Sequence, residues 1–127
     1  MNFPTLETNR LLLRTLTPED RLAIFRNYSD PDVANWFFDK PITQIEEAEK
    51  IIAAFLKSAE DGKGHTWAIV LKEGRELIGT CGYENFVLDA RGEVGFDLGK
   101  AYWGKGTMTE ALGAIIRYGF DVLRLSE

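Results

Sequence analysis

The stretch Ala101-Tyr102-Trp103-Gly104-Lys105-Gly106-Thr107-Met108-Thr109-Glu110-Ala111-Leu112 sets two glycines around a lysine and starts an apolar helical pattern just beyond them. With a strand over 93–98 before it, the order is strand, glycine loop, helix, which is a ready anion site. The first turn of a helix has N–H groups without helical partners and carries the positive end of the dipole. Glycines let the backbone come close to a bulky oxyanion. Thr107 and Thr109 add hydroxyl donors, and Lys105 adds a charge or simply faces solvent. The plainer reading is that Gly104 and Gly106 only turn the chain. Two nucleotide patterns are not met. The loop does not complete G-x-x-x-x-G-K-[ST], and G-x-G-x-x-G fails because Thr109 stands at its last position.

Outward from this loop, the pattern is that of one domain over 1–127. Arg10 to Leu16 (RLLLRTL) reads as a first, largely buried strand. Thr17, Pro18 and the acids Glu19 and Asp20 mark a helix start, and Leu22, Ile24, Phe25 and Tyr28 populate the helix. Asp30-Pro31 interrupts it, and a short helical turn leads to Trp36-Phe37-Phe38. Thr43 and Glu46 form a capping-box pattern before a helix carrying Ile45, Ala48, Ile52, Phe55, Leu56 and Ala59, which Gly62 ends. Strands over 65–72, 76–83 and 93–98 follow, joined by turns at 73–75 and 89–92, so they should form an antiparallel meander. Trp67, Ile69 and Leu71 alternate with Ala68 and Val70, so both faces of that strand are apolar and helices should cover both sides of the sheet. The last helix is expected over 105–123, with Met108, Leu112, Ile115, Ile116, Gly119, Phe120 and Leu123 as its buried stripe. The fold class is therefore α/β, a mixed-sheet sandwich built on an antiparallel meander with one crossover helix.

Bulk properties narrow the function. A chain of 127 residues buries roughly two thirds of its unfolded surface as one domain. Its 45% hydrophobic and 28% charged content are ordinary for a globular protein. No apolar run is long enough for a membrane span, and the N-terminal stretch lacks the pattern of a signal peptide. The single cysteine, Cys81, excludes an internal disulfide framework and fits a reducing, cytoplasmic setting. A net charge of −5 with no basic block argues against nucleic-acid binding and suits a cationic substrate such as an amine.

Several motifs, in order, resemble the GNAT acetyltransferase superfamily, and within it the RimJ/RimL-type branch of ribosomal-protein N-terminal acetyltransferases. They are Leu6-Glu7-Thr8-Asn9-Arg10-Leu11-Leu12-Leu13-Arg14, Leu77-Ile78-Gly79-Thr80-Cys81-Gly82, Glu93-Val94-Gly95-Phe96, Tyr102-Trp103-Gly104-Lys105-Gly106 with Thr109-Glu110-Ala111, and Tyr118-Gly119-Phe120. The superfamily's acyl-CoA signature is Q/R-x-x-G-x-G/A, against which Trp103 stands first, Gly106 fourth and Met108 last. Trp103 is usual in this branch, and Met108 is a departure. The resemblance implies that the backbone of Gly104, Lys105, Gly106, Thr107, Met108 and Thr109 holds the pyrophosphate of acetyl-CoA. It also implies that Phe96, Asp97 and Leu98 pair with the pantetheine arm.

The implied reaction is N-acetylation of a primary amine, a protein N-terminus being the favoured acceptor and a polyamine or antibiotic amine the runner-up. A non-catalytic acyl-CoA-binding module is a different class of reading. Such chemistry needs a neutral amine, hence a carboxylate base. Glu93 resembles the family's proposed base, and the alternative is a hairpin-end glutamate in solvent. Asp97 is a weaker candidate for that role. Tyr83 and Glu84 either line an acceptor pocket or, for Tyr83, pack the core, and Trp36, Phe37 and Phe38 pose the same choice. Cys81 reads as buried and inert, His65 stands without a metal-binding cluster, so no metal is expected, and Glu110 reads as an acid suited to a first helical turn.

A complete member of the family continues with another strand, a helix and two final strands, which supply the second wall of the pantetheine cleft and a proton donor for the thiolate. Without them the strand over 93–98 would be a sheet edge with unpaired backbone groups, open to pairing with a second copy as a homodimer.

Overall fold

The structure, a computed structural model, describes residues 4–34, 40–87 and 91–121. Trp36, Phe37 and Phe38 lie outside them. Five strands form one sheet in sequence order: β1 (Leu6–Glu7), β2 (Leu11–Thr15), β3 (His65–Leu71), β4 (Leu77–Val87) and β5 (Arg91–Leu98). Every neighbouring pair is antiparallel. The meander expected for β3 to β5 is present, and its β4–β5 hairpin is longer than the pattern suggested. β4 runs on to Val87 and β5 begins at Arg91. The short β1 precedes the first strand expected from the sequence, which began at Arg10. It has two residues and no alternation long enough to register.

Among the described residues three helices lie between β2 and β3: α1 (Arg21–Tyr28), α2 (Pro31–Ala34) and α3 (Ile45–Glu60). They connect the antiparallel neighbours β2 and β3, and α1 and α3 cover one face. The fourth, α4 (Thr107–Asp121), covers the other. Alternation along the strands feeds both layers. Trp67, Ile69, Cys81 and Tyr83 belong to the α4 side, while Ala68 and Val70 belong to the side of Ile24, Tyr28, Ala48 and Ile52. Trp67 is fully buried and meets Tyr83 and Tyr118 edge-on, with ring centroids 6.4 and 5.8 Å away. Such aromatic pairs add about 0.5–1.5 kcal/mol each beyond burial. The Trp67 indole N–H is satisfied by the Pro4 carbonyl at 2.9 Å.

Local signals hold with adjustments. After Thr17, the chain makes a 3₁₀ turn (Pro18–Asp20) before α1, and the Asp20 carboxylate accepts the Thr17 N–H at 2.8 Å. The cap of α3 sits one residue later than the Thr43–Glu46 frame. Gln44 is the N-cap, and Glu47 accepts the N–H groups of Thr43 at 2.7 Å and Gln44 at 3.1 Å. The buried line of α4 is also rotated from the expected stripe. It comprises Thr107, Ala111, Ile115 and Gly119, one residue every four, while Ile116 and Phe120 are 41% and 53% exposed. Leu123 lies outside the described residues.

Candidate functional site

Among the described strands β5 lies at one edge of the sheet, paired on one side with β4. Its register decides which backbone groups face outward. The Gly99 N–H bonds to the Ile78 carbonyl at 2.8 Å, toward β4. Alternate residues of an antiparallel strand aim their backbone groups to the same side, so Asp97 and Gly95 also face β4. Leu98, Phe96 and Val94 therefore aim N–H and C=O away from the sheet. The Leu98 carbonyl is already taken, since it accepts the Trp103 indole N–H at 2.7 Å. Phe96 thus offers the outward acceptor nearest the loop, together with an outward N–H.

Beyond β5 a 3₁₀ turn (Lys100–Tyr102) leads into the glycine loop. Gly104 and Gly106 both have φ of +76°, left-handed values that cost other L-residues about 1–2 kcal/mol. Their placement in the sequence is thus a backbone requirement. The first α-helical bond of α4 runs from the Glu110 N–H to the Gly106 carbonyl at 3.0 Å. The N–H groups of Thr107, Met108 and Thr109 precede it in the first turn, where a helix supplies no acceptor. Thr107 is buried and Thr109 exposed.

These parts border one open groove of about 570 Å³, lined by residues 94–98 of β5, by Trp103, Gly104, Gly106, Thr107, Met108 and Thr109, and by Tyr102 and Val33 across it. Nine of the ten residues that the sequence singled out for acyl-CoA are in that lining. Lys105 is not. Its side chain is exposed, and its carbonyl accepts the Arg10 Nη1–H at 3.2 Å. The groove walls are apolar at Phe96 and Trp103, which are 47% and 42% exposed.

Two carboxylates of the region hold structure together. Asp97 turns its side chain to the α1 face, where Tyr28 Oη, Thr80 Oγ1 and Asn27 Nδ2 donate to it. Burial raises its carboxyl pKa from 3.8 to about 6, against the lowering pull of those hydrogen bonds. Glu110 accepts from Thr8 Oγ1, from the Arg10 N–H at 2.9 Å and from Arg10 Nε at 2.7 Å. Partial burial opposes its ionisation, but these bonds outweigh it and hold the carboxyl below its usual range. The ties of Thr8 and Arg10 to α4 went unread in the sequence, because their partner lies about a hundred positions away.

The backbone of Glu93 pairs with Glu84 near the start of β5, and its side chain lies outside the described ones. Glu84 is exposed. Tyr83 is a core residue whose hydroxyl donates to the Ile115 carbonyl. Burial, and secondarily Asp97, pushes the Cys81 thiol up to about 12, so it is not a nucleophile. His65 is buried, which lowers its pKa to about 4.

The pattern of the acetyltransferase (GNAT) domain matches residues 10–127. The uncharacterised N-acetyltransferase p20 of Bacillus licheniformis is 37% identical over 123 residues, covering 96% of this chain and 69% of that protein. An acetyltransferase of the GNAT family from Bacillus anthracis shares the fold with a TM-score of 0.81 at 21% identity, over 96% of this chain and 69% of its own. RimL, a ribosomal L7/L12 alpha-N-protein acetyltransferase solved in complex with coenzyme A, shares it with a TM-score of 0.79 at 18% identity, over 91% and 67%. The groove beside β5 and its glycine loop thus sit in an acetyltransferase domain, and the chain belongs to the GNAT family.

Proposed function

We propose that this protein transfers the acetyl group of acetyl-CoA to a primary amine, with the cofactor lying along the β5 groove. The observation that carries this is the continuity of three features. Outward backbone groups at Phe96 suit the amide-bearing pantetheine arm. The left-handed glycines suit the close approach of a pyrophosphate, and the start of α4 suits its charge. All three border one groove.

Binding then puts the thioester near the far end of β5, where Glu93 is the third residue of the strand. Glu93 takes a proton from the acceptor ammonium, so that the nitrogen lone pair is free to attack the acetyl carbon. The C–N bond forms as the C–S bond breaks, and the proton that the nitrogen sheds on becoming an amide goes to the departing sulfur, which leaves as the free thiol. A protein N-terminal amine is the favoured acceptor, by likeness to RimL, whose description names that reaction. A small cationic amine is the second class, because the chain carries a net charge of −5.

The test is thermal melting with acetyl-CoA, desulfo-CoA and ATP, followed by thiol release in the presence of N-terminal peptides and polyamines. A ligand at a hundredfold its dissociation constant stabilises by about 2.7 kcal/mol, a shift of several degrees for a domain of this size. Both CoA compounds should give this shift and ATP should not. Glu93→Gln should keep the shift and lose about 10²–10⁴-fold in turnover. Equal stabilisation by ATP, or full turnover by Glu93→Gln, contradicts the corresponding half of the proposal.

A further inference from the structure

We infer that Arg10 is a positioning residue for the glycine loop: it pins the Lys105 carbonyl and so fixes the direction of the Gly106 N–H. This rests on the coenzyme A reading of the groove given above. The guanidinium is held in place before it reaches the loop. Its Nε donates to Glu110 Oε1 at 2.7 Å, and the Arg10 backbone N–H donates to Glu110 Oε2 at 2.9 Å. Thr8 Oγ1 donates to the same carboxylate oxygen. With the plane of the guanidinium set by this pairing, Nη1 reaches the Lys105 carbonyl at 3.2 Å. The planar fork of arginine satisfies both acceptors at once, which the single ammonium of lysine does not. Arg10 also lies close under the next residue, since a Cβ placed on Gly106 would sit 3.7 Å from its Nη2.

The consequence follows from peptide geometry. In a planar trans peptide the C=O of one residue and the N–H of the next point in opposite directions. Holding the Lys105 carbonyl on Arg10 therefore sends the Gly106 N–H away from the guanidinium, where it can meet a pyrophosphate oxygen in the groove that Gly104, Gly106 and Thr107 line. Such a lock is needed here because the 105–106 peptide joins Lys105 to Gly106, whose φ is +76° and whose backbone tolerates either sign. A peptide flanked by glycine turns over at little steric cost. Left untethered, it would present its carbonyl to the phosphates in one of its two orientations, and part of the binding energy would go to selecting the other. The brace removes that choice before the ligand arrives. Glu110, which the sequence suggested only as an acid suited to the first turn, serves here to anchor the brace.

The experiment is titration calorimetry on the full chain and its Arg10→Met and Arg10→Lys variants. Two ligands are compared: desulfo-CoA, which carries the pyrophosphate, and S-acetylpantetheine, which has the same arm and no phosphate. Arg10→Met should weaken desulfo-CoA about tenfold and Arg10→Lys about threefold, as expected for loss of one oriented hydrogen bond. Affinity for S-acetylpantetheine should stay at the wild-type value in both variants. Should Arg10→Met fail to fold, the same comparison on Arg10→Lys decides. Wild-type affinity for desulfo-CoA in the variants overturns the brace, as does an equal loss for both ligands, which would mark Arg10 as a general structural support. Absence of desulfo-CoA binding by the wild-type chain overturns the coenzyme A reading itself, and the brace with it.

Discussion

Asp97 and His65 are both buried, and their protonation is coupled to folding in opposite senses. Burial raises Asp97 from 3.8 to about 6, so the folded state prefers its neutral form. That contribution to stability is complete below the unfolded pKa and is lost as pH rises through about 6. Burial lowers His65 from 6.5 to about 4, so its contribution is complete above 6.5 and is lost as pH falls through about 4. Between about 4 and about 6 the two slopes oppose each other in the wild-type chain. Asp97→Asn leaves the histidine slope uncompensated, so its melting temperature should fall more steeply than that of the wild type as pH is lowered across that window. Melting curves at three pH values check this, and parallel curves would show that Asp97 does not titrate there. At this scale the glycines of the loop were legible in the sequence, because left-handed backbone has a residue-type signature. The partners of Asp97 were not. Tyr28, Asn27 and Thr80 reach it from 69, 70 and 17 positions away, through a register that only the folded sheet sets.

Helices and strands were legible in kind, and their details failed where one local pattern admits two frames. Thr43-Gln44-Ile45-Glu46-Glu47 offers both a Thr43–Glu46 and a Gln44–Glu47 cap, and the chain uses the second. In α4, apolar side chains occupy more than one face, and periodicity alone does not say which face the sheet takes. Close packing against β1, β2 and β4 selects the line with the small residues Thr107, Ala111 and Gly119 around Ile115. Ile115→Ala should therefore destabilise by about 2–5 kcal/mol through the cavity it leaves. Ile116→Ala, on the half-exposed side, should cost well under about 1 kcal/mol. Urea denaturation of the two variants measures both, and similar losses would mean that the helix is rotated from the position described.

Over the whole molecule, the five-stranded order and the helices on both faces place α4 against the end of β5, so that the strand edge and the glycine loop form one groove. The sequence order of motifs made this arrangement legible, since each loop residue lies within a few positions of β5. The brace from Thr8 and Arg10 was not, because it joins the first strand pair to the last helix across the fold. On the proposed function, coenzyme A lies in this groove. The most direct measurement is a ¹⁵N–¹H correlation titration of the labelled chain with desulfo-CoA. The amides of residues 104–109 and of Phe96 should move together and saturate at one stoichiometric equivalent of tightly bound ligand. Movement elsewhere with those amides unchanged would contradict the placement of the cofactor in this groove.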